Sequence, residues 1–446
     1  MRIVLGADEA RRSLLRRRPL TQMDVPPHIH ERTRAVFGRE LSPAEAVARI
    51  IRDVRNEGDA ALRRYSEAFD GVPYPSLTVS PEEVKAAYEQ VEPRIAAALR
   101  FAAERIRLFH EMQYDRTMSS FTKDGLGMRV RALQRVGVYA LGTDAVYPSS
   151  VLMTALPAKV ACVEEMFMIS PVDRAGRVSP LKLVAADIAG IDSVFCGSGA
   201  QAIAAFAFGT ETVPRVDKIC GPGNIFVTLA KQQLYGVVGI DSVYGPTETV
   251  IIADGSADPA LCAADLLAQA EHDELATALL ITTSRRFAAD VEREVERQLT
   301  GLERERVARA SMEARGGAVI VRTLDEAIAL ANEYAPEHLC LLVRNPRPWS
   351  RRVRNAGGVF IGESSPEAMG DYTAGPSHVM PTAGSARFSS PLNVLDFLKI
   401  TNVVGVGEES LREWGPAAAA IARAEGLTAH ARAIEMRLGL DGGSDG

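Results

Sequence analysis

The sequence predicts an α/β protein built on wound parallel sheets, and three observations lead there. From Val136 onward, short β-branched runs alternate with helical stretches, the pattern of chains that lay strands side by side with helices as crossovers. One of these runs gives way to small residues that open a helix, Gly197-Ser198-Gly199-Ala200-Gln201-Ala202. The 446 residues also exceed one compact core; at about 150 residues per domain, two to three domains are expected.

The chain to about Arg131 reads as helical, with charged and apolar residues alternating at helical spacing through residues 43–69 and 81–113. Ser42-Pro43-Ala44-Glu45 and Ser80-Pro81-Glu82-Glu83 mark helix starts: the serine accepts an orphan N–H, the proline is preorganised for the first turn, and the glutamate lies three residues after the cap. Strands are expected at 136–140, 166–170, 193–196 and 250–253. A second series follows at 279–283, 318–321, 339–343 and 358–361, separated by helices such as 286–298 and 324–334. Two α/β units result. After Pro391 the chain turns helical, alanine-rich from 416 to 437, and residues 441–446 are too polar to pack.

Composition narrows the function. A net charge of -6 argues against general polyanion binding, and the basic cluster at 11–18 reads as a solvated face. No window approaches the roughly 18 apolar residues of a membrane span, and residues 1–5 are too short for a signal-peptide core, so a cytoplasmic location with neither membrane nor nucleic-acid partner is expected. The five cysteines are far apart with no CxxC pair, which leaves nitrogen and oxygen ligands for any metal.

The glycine loop at 197–202 satisfies G-x-G-x-x-A spacing, and Gly221-Pro222-Gly223-Asn224 offers a second set of bare backbone amides to a phosphate or ribose. The acidic ribose ligand expected about 20 residues on is not cleanly present, since Asp217 comes early. Residues 265–272 read as helical. A carboxylate would favour Glu271 as the metal partner of His272, but Gln269 and His272, at i and i+3, share a face. Further polar clusters occur at 335–339, 370–378 and 425–430, whereas His28-Ile29-His30 sits in a Pro-led polar segment and reads as nonfunctional.

Together these segments resemble histidinol dehydrogenases. The likeness is carried in order by Gly58-Asp-Ala-Ala-Leu62, Phe69-Asp-Gly71, Gly199-Ala-Gln-Ala-Ile-Ala204, Phe208-Gly-Thr-Glu211, Val216-Asp-Lys218, Gly221-Pro-Gly-Asn224, Ala268-Gln-Ala-Glu-His272, Pro336-Glu-His-Leu339, Gly370-Asp-Tyr372 and Glu425-Gly-Leu427. The resemblance implies two Rossmann-like domains, one inserted in the other, with small helical N- and C-terminal segments exchanged across a homodimer that shares its active sites. It divides the chain into an arm at 1–33, a first domain at 34–138 and 248–391, an inserted NAD-binding domain at 139–247 and a helical tail at 392–446.

The resemblance also implies zinc held by Gln269, His272, Asp371 and His430, an acid-base pair in Glu337 and His338, and NAD contacts at Tyr139, Gln201 and Asn224. Substrate contacts carry over to Thr247, Gln269, His272, His338, Asp371, His378, Glu425 and His430. The implied activity is the oxidation of the amino alcohol L-histidinol through an aldehyde to L-histidine with two NAD+. Two loops depart from the family pattern: the usual Pro-Gly-Gly is Leu141-Gly142-Thr143, and the usual Gly-Pro-Ser-Glu is Gly245-Pro246-Thr247-Glu248. The alternative is a zinc- and NAD-dependent relative acting on another polar alcohol such as a sulfonated diol. Glu425 and His378 suit a cationic imidazole-bearing substrate better.

Overall fold

The computed structural model describes residues 1–17, 27–142 and 146–440. The chain divides into two compact units, Met1–Asp115 with Leu133–Phe397, and Arg116–Ala132 with Leu398–Gly446. The first unit carries two all-parallel sheets. One runs Arg2–Leu5, Gly317–Ile320, Thr277–Thr282, Glu248–Ala253, His338–Leu342, Gly358–Ile361. The other runs Ser193–Cys196, Glu165–Ser170, Arg135–Tyr139, Lys218–Cys220, Gly239–Ile240.

Leaving aside the edge strand Arg2–Leu5, each sheet winds outward from its first strand in the doubly wound order 3-2-1-4-5. Central strands are apolar on both faces because helices cover both, so Glu248–Ala253 is buried along its length. Register follows from those runs: Leu339 lies opposite Val250 and Cys340 opposite Ile251.

Most expected elements appear within two residues of their predicted ends, and Ser193–Cys196, Leu324–Tyr334 and Gly358–Ile361 coincide with them. The first helical region is broken twice. Gly58 adopts φ 54° between Pro43–Glu57 and Asp59–Asp70, a conformation an L side chain resists, and Val91 turns extended before Pro93. Both predicted capping boxes form, Ser42 with Glu45 and Ser80 with Glu83.

Several elements pair or pack across the expected domain limits. Arg2–Leu5 is a strand of the six-stranded sheet, so the N-terminus is not simply a helical arm. Arg135–Tyr139 belongs whole to the five-stranded sheet, which a boundary at 138/139 would cut. Pro43–Glu57 packs on Gly199–Phe208 and Ile225–Leu234, Pro81–Gln90 on Pro180–Ala189, and Pro93–Tyr114 on Pro148–Val160, so these helices clothe the five-stranded sheet. Amphipathic periodicity shows that a helix buries one face and is silent about which sheet covers it.

The second unit is not wholly helical either. Leu398–Val404 pairs antiparallel with Leu126–Ala132, which pairs with Phe121–Lys123, and Glu408–Ala424 packs on Thr428–Glu435. Among the described residues, no helix is long and apolar enough to cross a membrane.

Candidate active site

Two adjacent strands of the six-stranded sheet, Glu248–Ala253 and His338–Leu342, start side by side, and their amino ends carry the polar cluster. Glu337 precedes one strand and Thr247 the other. The Glu337 Oε2 accepts from Thr247 Oγ1 at 2.6 Å and from the Glu248 amide at 3.0 Å. Burial is the main influence on this carboxyl and pushes it up to about 7 against the lowering effect of His338 and these two donors.

His338 is the first residue of its strand and is buried. Its Nδ1 lies 3.3 Å from the Glu248 carbonyl, which can only accept, so the proton sits on Nδ1. The Nε2 is then a bare lone pair: it is buried, has no hydrogen-bond partner, and stands 3.9 Å from Asp371 Oδ1. An imidazole held in this tautomer is arranged to take a proton.

Glu367 completes the cluster, and sequence reasoning missed it. Its Oε2 accepts from Thr249 Oγ1 at 2.7 Å, its Oε1 is 3.5 Å from His338 Nδ1, and burial holds its carboxyl well above the carboxylate range. With donors facing acceptors, the buried Gln269 amide donates to Glu367 Oε1 and accepts from Glu248 N, each at 2.7 Å, with Thr247 Oγ1 2.7 Å from its oxygen. The available signal was spacing, because Glu367 and Asp371 stand at i and i+4 on the short helix Glu367–Tyr372.

The helix before His272 is shorter than expected. Pro259–Ala270 stops at Ala270, and His272 lies in the closing turn with its amide donating to Gln269 O at 3.3 Å. The residue is exposed, yet its ring is crowded enough that desolvation lowers its pKa, with Asp371 opposing and His338 reinforcing the shift.

His378 is tied at both nitrogens, Nδ1 donating to the Asp371 carbonyl at 2.8 Å and Nε2 lying 3.0 Å from Ser150 Oγ, so it positions Asp371 in this structure. Glu425 and His430 belong to the second unit, where both are exposed.

Part of the 11–18 basic cluster is also not solvated as expected. Arg17 grips the buried Glu248 carboxylate through two 2.8 Å bonds, donates to the carbonyls of Tyr334 and Ala335, and lies 3.8 Å over the Tyr334 ring. It braces the approaches to both strands that bear the cluster. Arg18 lies outside the described residues.

The expected NAD contacts gather at the carboxyl edge of the five-stranded sheet, where doubly wound sheets bind ligands. The Tyr139 hydroxyl accepts from Gly199 N at 3.1 Å. Gln201 is buried, its Nε2 donating to Ser198 Oγ at 3.1 Å while its Oε1 has no partner. Gly221 adopts φ 112°, and a Cβ there would come within 2.4 Å of Tyr139 O, so only glycine lets the two loops close up. Asn224 caps Ile225–Leu234, its Oδ1 accepting from Phe226 N and Val227 N, so its amide nitrogen takes no part in the cap.

A family model described as histidinol dehydrogenase matches residues 38–438. A histidinol dehydrogenase of Deinococcus radiodurans is 52% identical, covering 98% of this chain and all of the relative. The chain belongs to the histidinol dehydrogenase family. Another such enzyme, from Geobacter sulfurreducens, is 49% identical over 90% of this chain and 94% of its own. The crystal structure of the Elizabethkingia anophelis histidinol dehydrogenase superimposes with a TM-score of 0.87 at 32% identity, covering 98% of each chain. Membership makes the chain an NAD-linked oxidoreductase of histidine biosynthesis acting on histidinol, and the sulfonated-diol alternative is not favoured.

The donor set bears on the metal that the resemblance implies. All five cysteines are free, and four are buried. Among the described residues, no group of three His, Cys, Asp or Glu side chains stands close enough to hold a metal ion. Gln269, His272 and Asp371 nevertheless offer nitrogen and oxygen atoms of the kind zinc takes, and a fourth ligand would close the set.

Proposed function

We propose that the chain oxidises L-histidinol through L-histidinal to L-histidine with two NAD+ in succession, as a zinc-containing dehydrogenase whose active sites are shared in a homodimer. The observation that carries the residue roles is the buried, unpartnered His338 Nε2 beside Asp371. That atom takes the alcohol proton as hydride leaves carbon. In the second half-reaction Glu337, ionising near neutrality, draws a proton from water so that the aldehyde is hydrated before it is oxidised.

Gln269, His272, Asp371 and the partner's His430 would hold zinc, which would grip the amino and imidazole nitrogens of the substrate and orient it. Tyr139, Gln201 and the Asn224 amide would hold NAD, the hydride acceptor. Thr247 and His378 shape the substrate side, with Glu425 and His430 contributed by the tail.

Purified protein given L-histidinol and NAD should form two NADH per histidinol and far less with other polar alcohols. A preference for another alcohol, or no NADH from histidinol, overturns the reading.

A further inference from the structure

Lys182 lies on the helix Pro180–Ala189 and is about 1% exposed. Its ammonium donates to the Gly142 carbonyl at 2.6 Å, the Ser170 hydroxyl at 3.1 Å and the Ala140 carbonyl at 3.3 Å, so three donors meet three acceptors. A buried ammonium is costly, and an apolar side chain of similar volume would pack there without that cost. Burial accordingly pulls the Lys182 pKa down to about 8.

The three acceptors mark where two central strands leave the five-stranded sheet. Ala140 and Gly142 follow Arg135–Tyr139, and Ser170 ends Glu165–Ser170. The Ser170 carbonyl in turn accepts from Gly197 N at 2.9 Å, where the first glycine loop begins.

We propose that Lys182 is a positioning residue for NAD: it clamps the 140–142 loop and, through Ser170, the 197–201 glycine loop. The proposal rests on the reading that NAD binds at this edge of the sheet. A loop already held in shape costs less to order when the dinucleotide arrives, so the clamp acts on cofactor affinity rather than on the chemical step.

Lys182→Met should raise the KM for NAD and the NAD dissociation constant, measured by fluorescence titration, about tenfold. The KM for histidinol, and kcat at saturating NAD, should stay within about twofold of the parent. Ser170→Ala, which removes one acceptor and no charge, should shift NAD affinity the same way by a smaller factor; it carries the test if Lys182→Met does not fold. Gln201→Ala serves as the reference for the site. NAD affinity unchanged in the Lys182 and Ser170 variants but weakened in Gln201→Ala overturns the clamp alone. Unchanged affinity in all three overturns the cofactor reading and the clamp with it. A uniform loss in kcat and both KM values assigns Lys182 to general folding and also overturns the proposal.

Discussion

Glu337 and His338 are neighbours in sequence with different proton duties. The proposed roles separate them experimentally: His338 serves from the first step, Glu337 only once the aldehyde must be hydrated. His338→Asn should lower both half-reactions about 10²- to 10⁴-fold. Glu337→Gln should impair aldehyde oxidation by a similar factor while largely sparing alcohol oxidation. Equal losses for Glu337→Gln with alcohol and aldehyde supplied separately would falsify this division. Burial favours the neutral acid, so Glu337 is an active base only above its pKa of about 7. The rate of aldehyde oxidation should therefore climb about tenfold per pH unit below 7 and level off above it. A slope that survives unchanged in Glu337→Gln rules out Glu337 as its source. The residue types were legible in Pro336-Glu337-His338. The free Nε2 was not, because it depends on the Glu248 carbonyl of another strand.

At the scale of elements, chemistry sits at opposite ends of two similar sheets. The five-stranded sheet presents its glycine loops at carboxyl ends, whereas the six-stranded sheet presents Thr247 and Glu337 at amino ends. The amino-end cluster depends on Arg17, which holds the approaches to both strands from 231 and about 320 residues away in sequence. Arg17→Met leaves the buried Glu248 carboxylate without its cation. Arg17 is about a quarter exposed, so a cost of ~2–3 kcal/mol is expected, at or below the low end for broken buried pairs. Chemical denaturation should show it as a lower midpoint. A midpoint equal to the parent's means that the pair adds nothing to stability. Helix starts were legible because capping uses residues three apart. The partner of Glu248 was not, since nothing local in a basic cluster distinguishes Arg17 from the solvated Arg12.

For the whole molecule, the proposal that zinc is held by Asp371 of one chain and His430 of its partner can be tested directly. Chelation should abolish turnover while far-ultraviolet circular dichroism stays nearly unchanged, and added zinc should restore activity. Loss of cooperative folding on chelation would instead mark a structural metal. If His430 serves the partner, co-expressed Asp371→Asn and His430→Asn chains, each inactive alone, form mixed dimers with one intact and one doubly damaged site. With random pairing, about a quarter of all sites regain activity and metal. Mixed dimers verified by two affinity tags, yet lacking activity and zinc, would show both ligands coming from one chain.

What the sequence determined by itself is whatever rests on local period and spacing: strands that are apolar throughout because both faces are covered, serine-proline-glutamate helix starts, glycine loops after strands, and an ordered series of motifs sufficient to mark the family. What only the tertiary structure decided rests on contacts between segments far apart in the chain. Arg2–Leu5 became an edge strand because Gly317–Ile320 offers it a ladder. The helices from Pro43 to Tyr114 went to the five-stranded sheet, Leu398–Val404 found Leu126–Ala132, and Glu367 and Lys182 acquired roles through partners on other elements. Periodicity records that a surface will be buried. The identity of what buries it is settled by packing between distant segments, where complementary shape and satisfied polar groups select one pairing among many.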